Sequence, residues 1–177
     1  MSIKIKKYSL FTLIVILFVA FDQYSKYWII HSVGKHKTLS LISGILSFEY
    51  LENDGVAFSM LAGKTIIINL LVFVMICVLI FSLIVLQNSL SNVEGALKKK
   101  LATLQILISF MIAGAIGNMI DRIRLGYVVD FIKTDFIDFP VFNVADCYVT
   151  ISVFVVFVIL VMMKENEFEQ IKIKFKH

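Results

Sequence analysis

The chain is 177 residues long, 59% hydrophobic and 17% charged, with a formal net charge of +4 and a mean hydropathy of +0.91. A soluble domain runs at about half apolar and about a quarter charged, so the apolar surplus must face lipid. A single proline and very little low-complexity sequence exclude a disordered chain.

A bilayer core needs about 20 mostly apolar helical residues to cross it. The first such span runs from about Tyr8 to Ile30, apolar as far as Phe21 and then carrying Asp22, Gln23 and Lys26. Lys4, Lys6 and Lys7 precede it as in a secretory signal. No small-x-small cleavage site follows, since the run ends in Ala20-Phe21-Asp22-Gln23, so a retained anchor is expected. Residues of about 39–62 then read as short strands. Leu39 to Glu52 is rich in β-branched and aromatic residues, with turn signals at Gly44 and Asn53-Asp54-Gly55. The expectation is a small β-rich loop domain on the membrane surface. Phe48, Tyr50, Phe58 and Met60 either dip into the interface beside Tyr27 and Trp28 or simply pack the loop. The second span, about Thr65 to Leu86, is interrupted only by Asn69 and Ser82. The third runs from about Leu101 to Ile120 and turns glycine-rich at its end, and the fourth from about Val144 to Met163.

Basic residues orient the spans. Lys4, Lys6 and Lys7, then Lys98, Lys99 and Lys100, then Lys164, Lys172, Lys174 and Lys176 fall on one side. The other two connections, about 31–64 and 121–143, carry Glu49, Glu52, Asp54, Asp121, Asp130, Asp135 and Asp138 beside some basic residues. The fold class expected is therefore an all-α integral membrane protein with four transmembrane helices, both termini cytoplasmic, and an extracytoplasmic β-rich loop domain. Residues 1–177 form one membrane-embedded domain in this reading. The positive charge is topological and implies no nucleic-acid partner. Alternation in Ile171-Lys172-Ile173-Lys174-Phe175-Lys176 suits anionic membrane phospholipid, or equally a solvated tail.

Cys77 lies within the second span and Cys147 starts the fourth, a spacing that makes neither a metal site nor a disulfide framework. No histidine partners Cys147 in sequence, since His31 and His36 fall in the first outer loop and His177 ends the chain. A Cys–His enzyme and a metal site are both disfavoured, and no metal or cofactor is expected.

Carboxylates at the rim of a hydrocarbon layer are costly, and this chain holds two, Asp130 and Asp146, at span edges. A facing carboxyl pair can share one proton and activate water. Asp22 and Lys26, four apart on one helical face, neutralise each other or form a structural pair with a snorkelling lysine. Asn118 and Arg122 share a face and can hold a peptide carbonyl or an aspartate, while Asp121–Arg122 reads as an interfacial salt bridge. Asn143 and Asp146 also fit a helix cap on their own. Asn53, Asn118, Arg122, Asn143, Asp130 and Asp146 nevertheless all map to one face of the bundle.

In chain order the motifs are Asp22-x-x-x-Lys26, Asn53-x-Gly55-x-Ala57-Phe58, Gly117-Asn118-x-x-Asp121-Arg122, Val129-Asp130-Phe131 and Phe142-Asn143-x-Ala145-Asp146. Together they resemble the lipoprotein signal peptidase (signal peptidase II) family, the bacterial membrane aspartic proteases of lipoprotein maturation. The resemblance covers nearly the whole chain. It implies an Asp130–Asp146 catalytic dyad that cuts diacylglyceryl-modified prolipoproteins just before the lipid-modified cysteine, with no cofactor. It also implies that Asn53, Asn118, Arg122 and Asn143 hold substrate or support the dyad, and places Asp22 and Gly55 in the same motifs. A monomer suffices for this chemistry, at the outer face of the bacterial cytoplasmic membrane. From the residues alone, the N-terminus of the fourth helix favours an ionised Asp146 and leaves the proton on Asp130. Two other classes stand beside this one. A small transporter predicts charges near the midplane and internal repeats. A non-catalytic assembly protein predicts that Asp130→Asn is silent for processing.

Overall fold

The computed structural model describes residues 2–35, 37–55, 63–90 and 93–171, with side chains from Leu10 onward. Ala57, Phe58, Met60 and His36 lie outside the described residues, as do His177 and the tail lysines Lys172, Lys174 and Lys176. The elements are α1 (Ser2–Ser32), β1 (Thr38–Ile42), β2 (Leu46–Asn53), α2 (Thr65–Ser89), α3 (Gly95–Leu125), β3 (Val128–Thr134), α4 (Val144–Val161) and α5 (Glu165–Gln170). α1, α2, α3 and α4 are long and apolar enough to cross a membrane.

The axis of the bundle is α3, against which α1, α2 and α4 all pack. Some 56% of its most apolar stretch is buried, against 11–17% in the other three helices, whose outer faces are left for lipid. Glycine makes this close packing possible. A Cβ at Gly114 would stand 2.5 Å from the Ala145 carbonyl oxygen of α4, and one at Gly117 would stand 2.5 Å from Asp22 Oδ2 of α1. At the far end of the bundle, Leu90, Val93, Leu97, Leu101 and Met163 close an apolar cluster under the α2–α3 connection.

α3 stops at Gly126, whose φ of 87° is a left-handed cap that few other residues adopt cheaply. Two residues later the chain enters β3. There it completes an antiparallel sheet of order β1-β2-β3. Leu51 faces Asp130 and Asn53 faces Val128 across the β2–β3 register, which shifts between Phe48 and Leu51. The sheet is pinned to the end of α1 by Ile29, Val33 and Phe131, with Phe48 wedged edge-on between Trp28 and Phe131.

The four spans and the strand-rich first loop match the expectation; several boundaries do not. α3 begins at Gly95 and ends at Leu125, so Lys98–Lys100 and Asp121–Arg122 are helical and do not lie in loops. Exposed lysines are good helix formers, and an apolar-run criterion cannot see them as helix. His31 is likewise helical, in the last turn of α1. The sheet takes its third strand from 128–134, outside the loop from which it was expected. α4 ends at Val161, and a short α5 follows.

Candidate active site

Asp130 sits at the middle of β3, 2% exposed. Its Oδ1 accepts from Asn143 Nδ2 at 2.6 Å and its Oδ2 from Asn53 Nδ2 at 2.8 Å. Asp146 enters from the first turn of α4. There the Asn143 side chain accepts from the Asp146 backbone N–H at 3.0 Å, and Asp146 Oδ2 accepts from the Asn143 N–H at 3.1 Å. The other carboxylate oxygen, Oδ1, accepts from Asn118 Nδ2 at 2.8 Å. The asparagine that caps α4 also donates to Asp130, so one side chain holds both the Asp130 carboxylate and the Asp146 backbone. Burial pushes the Asp130 carboxyl up to about 6, and nearby Asp146 adds to this, against the amide donors of Asn53 and Asn143.

Both carboxylates line a cavity of about 580 Å³. Asn53, Asn118 and Arg122 line it with them, and Val72 and Met75 of α2 face Val149 and Ile151 of α4 across it. α2 and α4 flank α3 without packing closely on one another. Among the described residues the cavity is reached sideways between these two helices, where its lining residues Met75 and Ile151 are exposed.

Asn143, Gly55 and Asp22 do not line the cavity and connect to it through hydrogen bonds. Asn53 is committed to the site itself: its Oδ1 accepts from the Gly55 N–H at 3.0 Å while its amide donates to Asp130. Arg122, 8% exposed, donates from Nη2 to the Gly55 carbonyl at 2.9 Å, and its buried Nε has no partner among the described residues. The Asp121–Arg122 salt bridge does not form. Asp121 instead pairs with Lys26, at 2.9 Å, and accepts from the Val129 N–H beside Asp130 at 3.2 Å.

Asp22 is fully buried, with Oδ1 on the Ala145 N–H at 3.1 Å and Oδ2 on Lys26 Nζ at 2.9 Å. Lys26 is 2% exposed and does not snorkel. The close approach of α1 to α3 at Gly117 leaves its ammonium no route to the surface, and Asp121 and the Asn118 oxygen replace water around it. Gln23, which the motif reading passed over, joins the same cluster by donating to Asp121 at 2.9 Å and to the Gly117 carbonyl at 3.2 Å. The sequence carries the signal, since Asp22, Gln23, Ser25 and Lys26 within five positions of an apolar span rarely all face lipid. Cys147 borders the cavity as well. Among the described residues no cluster of His, Cys, Asp and Glu has metal-site geometry.

Residues 14–162 match the family model described as signal peptidase (SPase) II. The chain belongs to the signal peptidase II family. The lipoprotein signal peptidase of Enterococcus faecalis is 39% identical over 150 residues, 85% of this chain and 86% of that one. That of Streptococcus pyogenes serotype M5 is 40% identical over 162 residues, 92% and 98% of the two chains. A bacterial membrane enzyme solved by the in meso method superposes with a TM-score of 0.73 at 29% identity, covering 96% of this chain and 94% of that one. A second superposes at 0.71 and 30% identity, over 88% and 95%. As a signal peptidase II family member with four span-length helices, the protein is a multi-pass bacterial membrane protein.

Proposed function

We propose that residues 1–177 act as one membrane-embedded aspartic endopeptidase, with Asp130 and Asp146 as its catalytic pair. Its substrates would be diacylglyceryl-modified prolipoproteins, cut just before the lipid-modified cysteine. The observation that carries this reading is that Asp130 and Asp146, from different elements, line one cavity and are joined through the single Asn143 side chain.

Asp146, at the N-terminus of α4 and accepting from Asn118, serves as the ionised base, and Asp130, desolvated, holds the proton. Water attacks the scissile carbonyl carbon and gives a proton to Asp146, while Asp130 protonates the carbonyl oxygen. Asp146 then passes its proton to the amide nitrogen as the C–N bond breaks, and Asp130 recovers the diol proton. The open Nε of Arg122 faces the substrate backbone. Through Gly55, Arg122 also holds the turn that carries Asn53.

The lateral opening suits a substrate anchored in the bilayer, with apolar walls of α2 and α4 for the acyl chains and the signal helix. Lys98–Lys100 and Lys164 lie at the end of the bundle away from the sheet, which supports an extracytoplasmic sheet and site. The expected test is cleavage of a diacylglyceryl-modified prolipoprotein by the purified protein in detergent or lipid. Cleavage before the modified cysteine, lost in folded Asp130→Asn and Asp146→Asn, supports the dyad. Activity surviving either change rejects it.

A further inference from the structure

We infer that Lys26 is a positioning residue for this reaction, an ammonium that touches neither dyad carboxylate yet decides which end of the Asn118 amide faces Asp146. The inference rests on the dyad reading above.

An asparagine side chain can present either its oxygen or its NH2 to a given neighbour, whereas a lysine ammonium has three donors and no acceptor. Lys26 Nζ lies 2.9 Å from each of three oxygens, on Asp22, Asp121 and Asn118, so every donor is used. Only the oxygen of Asn118 can face it. The NH2 of that amide is thereby turned to Asp146 Oδ1, at 2.8 Å. The same Asn118 oxygen accepts at 3.1 Å from the Asn143 NH2 that reaches Asp130. One buried cation therefore sets the polarity of a path to both carboxyls, from Lys26 through Asn118 to Asp146 and, by way of Asn143, to Asp130. A reversed Asn118 would set oxygen against carboxylate oxygen and oppose the ionised state that the base needs.

Neither carboxylate that holds Lys26 is idle. Asp22 also accepts from the Ala145 N–H, next to Asp146, and Asp121 from the Val129 N–H, next to Asp130. The pivot is clamped to both elements that carry the dyad. Arg122 from α3, Asp130 from β3 and Cys147 on α4 itself interact electrostatically with Asp146, while Lys26, Asp22 and Asp121 connect to it only through Asn118 and the Ala145 N–H.

A residue that merely stabilised the fold would lower the amount of active enzyme without moving its pH dependence. The readout is therefore the acidic limb of kcat/KM for a diacylglyceryl-modified prolipoprotein. Lys26→Met combined with Asp121→Asn removes the donor-only group while leaving the net charge of the cluster as it was. In this double variant the limb moves to higher pH by about one unit, with about tenfold lower activity below it. Asp121→Asn alone and Lys26→Arg keep a group without acceptors against Asn118, and their limbs stay within about 0.3 unit of wild type even at a lower plateau. A limb unmoved in the folded double variant overturns the inference, as does one moved equally in Lys26→Arg. Should the double variant fail to fold, Lys26→Gln with Asp121→Asn replaces it and again leaves the net charge as it was. Gln supplies a donor for Asp22 but can also turn an oxygen to Asn118, so the limb shifts in the same direction; an unmoved limb overturns the inference here too. Cleavage retained by Asp146→Asn would remove the dyad reading and this inference together. An inactive Asp146→Asn with unmoved limbs removes only the role of Lys26.

Discussion

Removing the charge of Asp130 should stabilise the protein while abolishing cleavage, and the gain should depend on pH. Its carboxyl is raised from 3.8 to about 6, chiefly by burial. A carboxyl whose folded value is raised stabilises fully below its unfolded value and loses that contribution as pH rises through the folded one. Two units correspond to about 3 kcal/mol lost by about pH 8, of which about 1 kcal/mol is already lost at about pH 4.5. Asp130→Asn escapes this loss. Both oxygens of Asp130 face amide donors, so the new NH2 meets one of them and Asn53, the less buried partner, must turn. That mismatch costs about 1 kcal/mol, but at every pH alike. The variant-minus-wild-type stability should therefore grow by about 2 kcal/mol between about pH 4.5 and pH 8, or about 6 °C in Tm for a chain of this size. The assay is thermal unfolding in detergent, followed by circular dichroism and Trp28 fluorescence at both pH values. A difference that does not change with pH would show that Asp130 is not the desolvated, proton-holding partner.

Three further outcomes follow from the packing. Asn143→Ser keeps a capping hydroxyl but cannot span to Asp130, so it should cost about 1 kcal/mol for the lost amide contacts while cleavage falls at least tenfold; Asn143→Ala should lose about 1 kcal/mol more with the cap, and equal activity in wild type and Asn143→Ser would contradict this. Gly114→Ala drives a methyl against the Ala145 carbonyl, and Gly117→Ala drives one against the clamped Asp22 carboxylate. Each should cost about 1–3 kcal/mol in chemical or thermal unfolding and reduce cleavage, and an unchanged Tm would refute so tight an approach. The Lys133–Glu49 pair is 40% and 36% exposed, so Lys133→Ala should leave both Tm and cleavage rates as they were, and a clear fall in either would contradict this.

The spans were legible because lipid imposes a length on apolar runs, and the second and fourth were delimited to within a few residues at their starts. The two aspartates stood out because carboxylates beside such runs need a reason. What stayed illegible depended on contacts distant in sequence. The burial of Lys26 follows from Asp121, 95 positions away, and from the glycines that bring the two helices together. Nothing local marks Val128–Thr134 as a strand beyond the motif it carries, and only its pairing with the distant Leu46–Asn53 sets Asn53 beside Asp130. Arg122 could not be assigned from its neighbour Asp121, since adjacent helical residues point about 100° apart and here serve different clusters.

The sideways mouth between α2 and α4 changes what concentration means for this protein. A molecule that arrives through that mouth travels in two dimensions, so encounter depends on its mole fraction among the lipids and not on its amount per litre. Diluting the membrane with inert lipid should slow turnover at fixed protein and fixed bulk substrate, and adding buffer should not. Rates measured in micelles of different sizes become comparable only when expressed per unit of amphiphile surface.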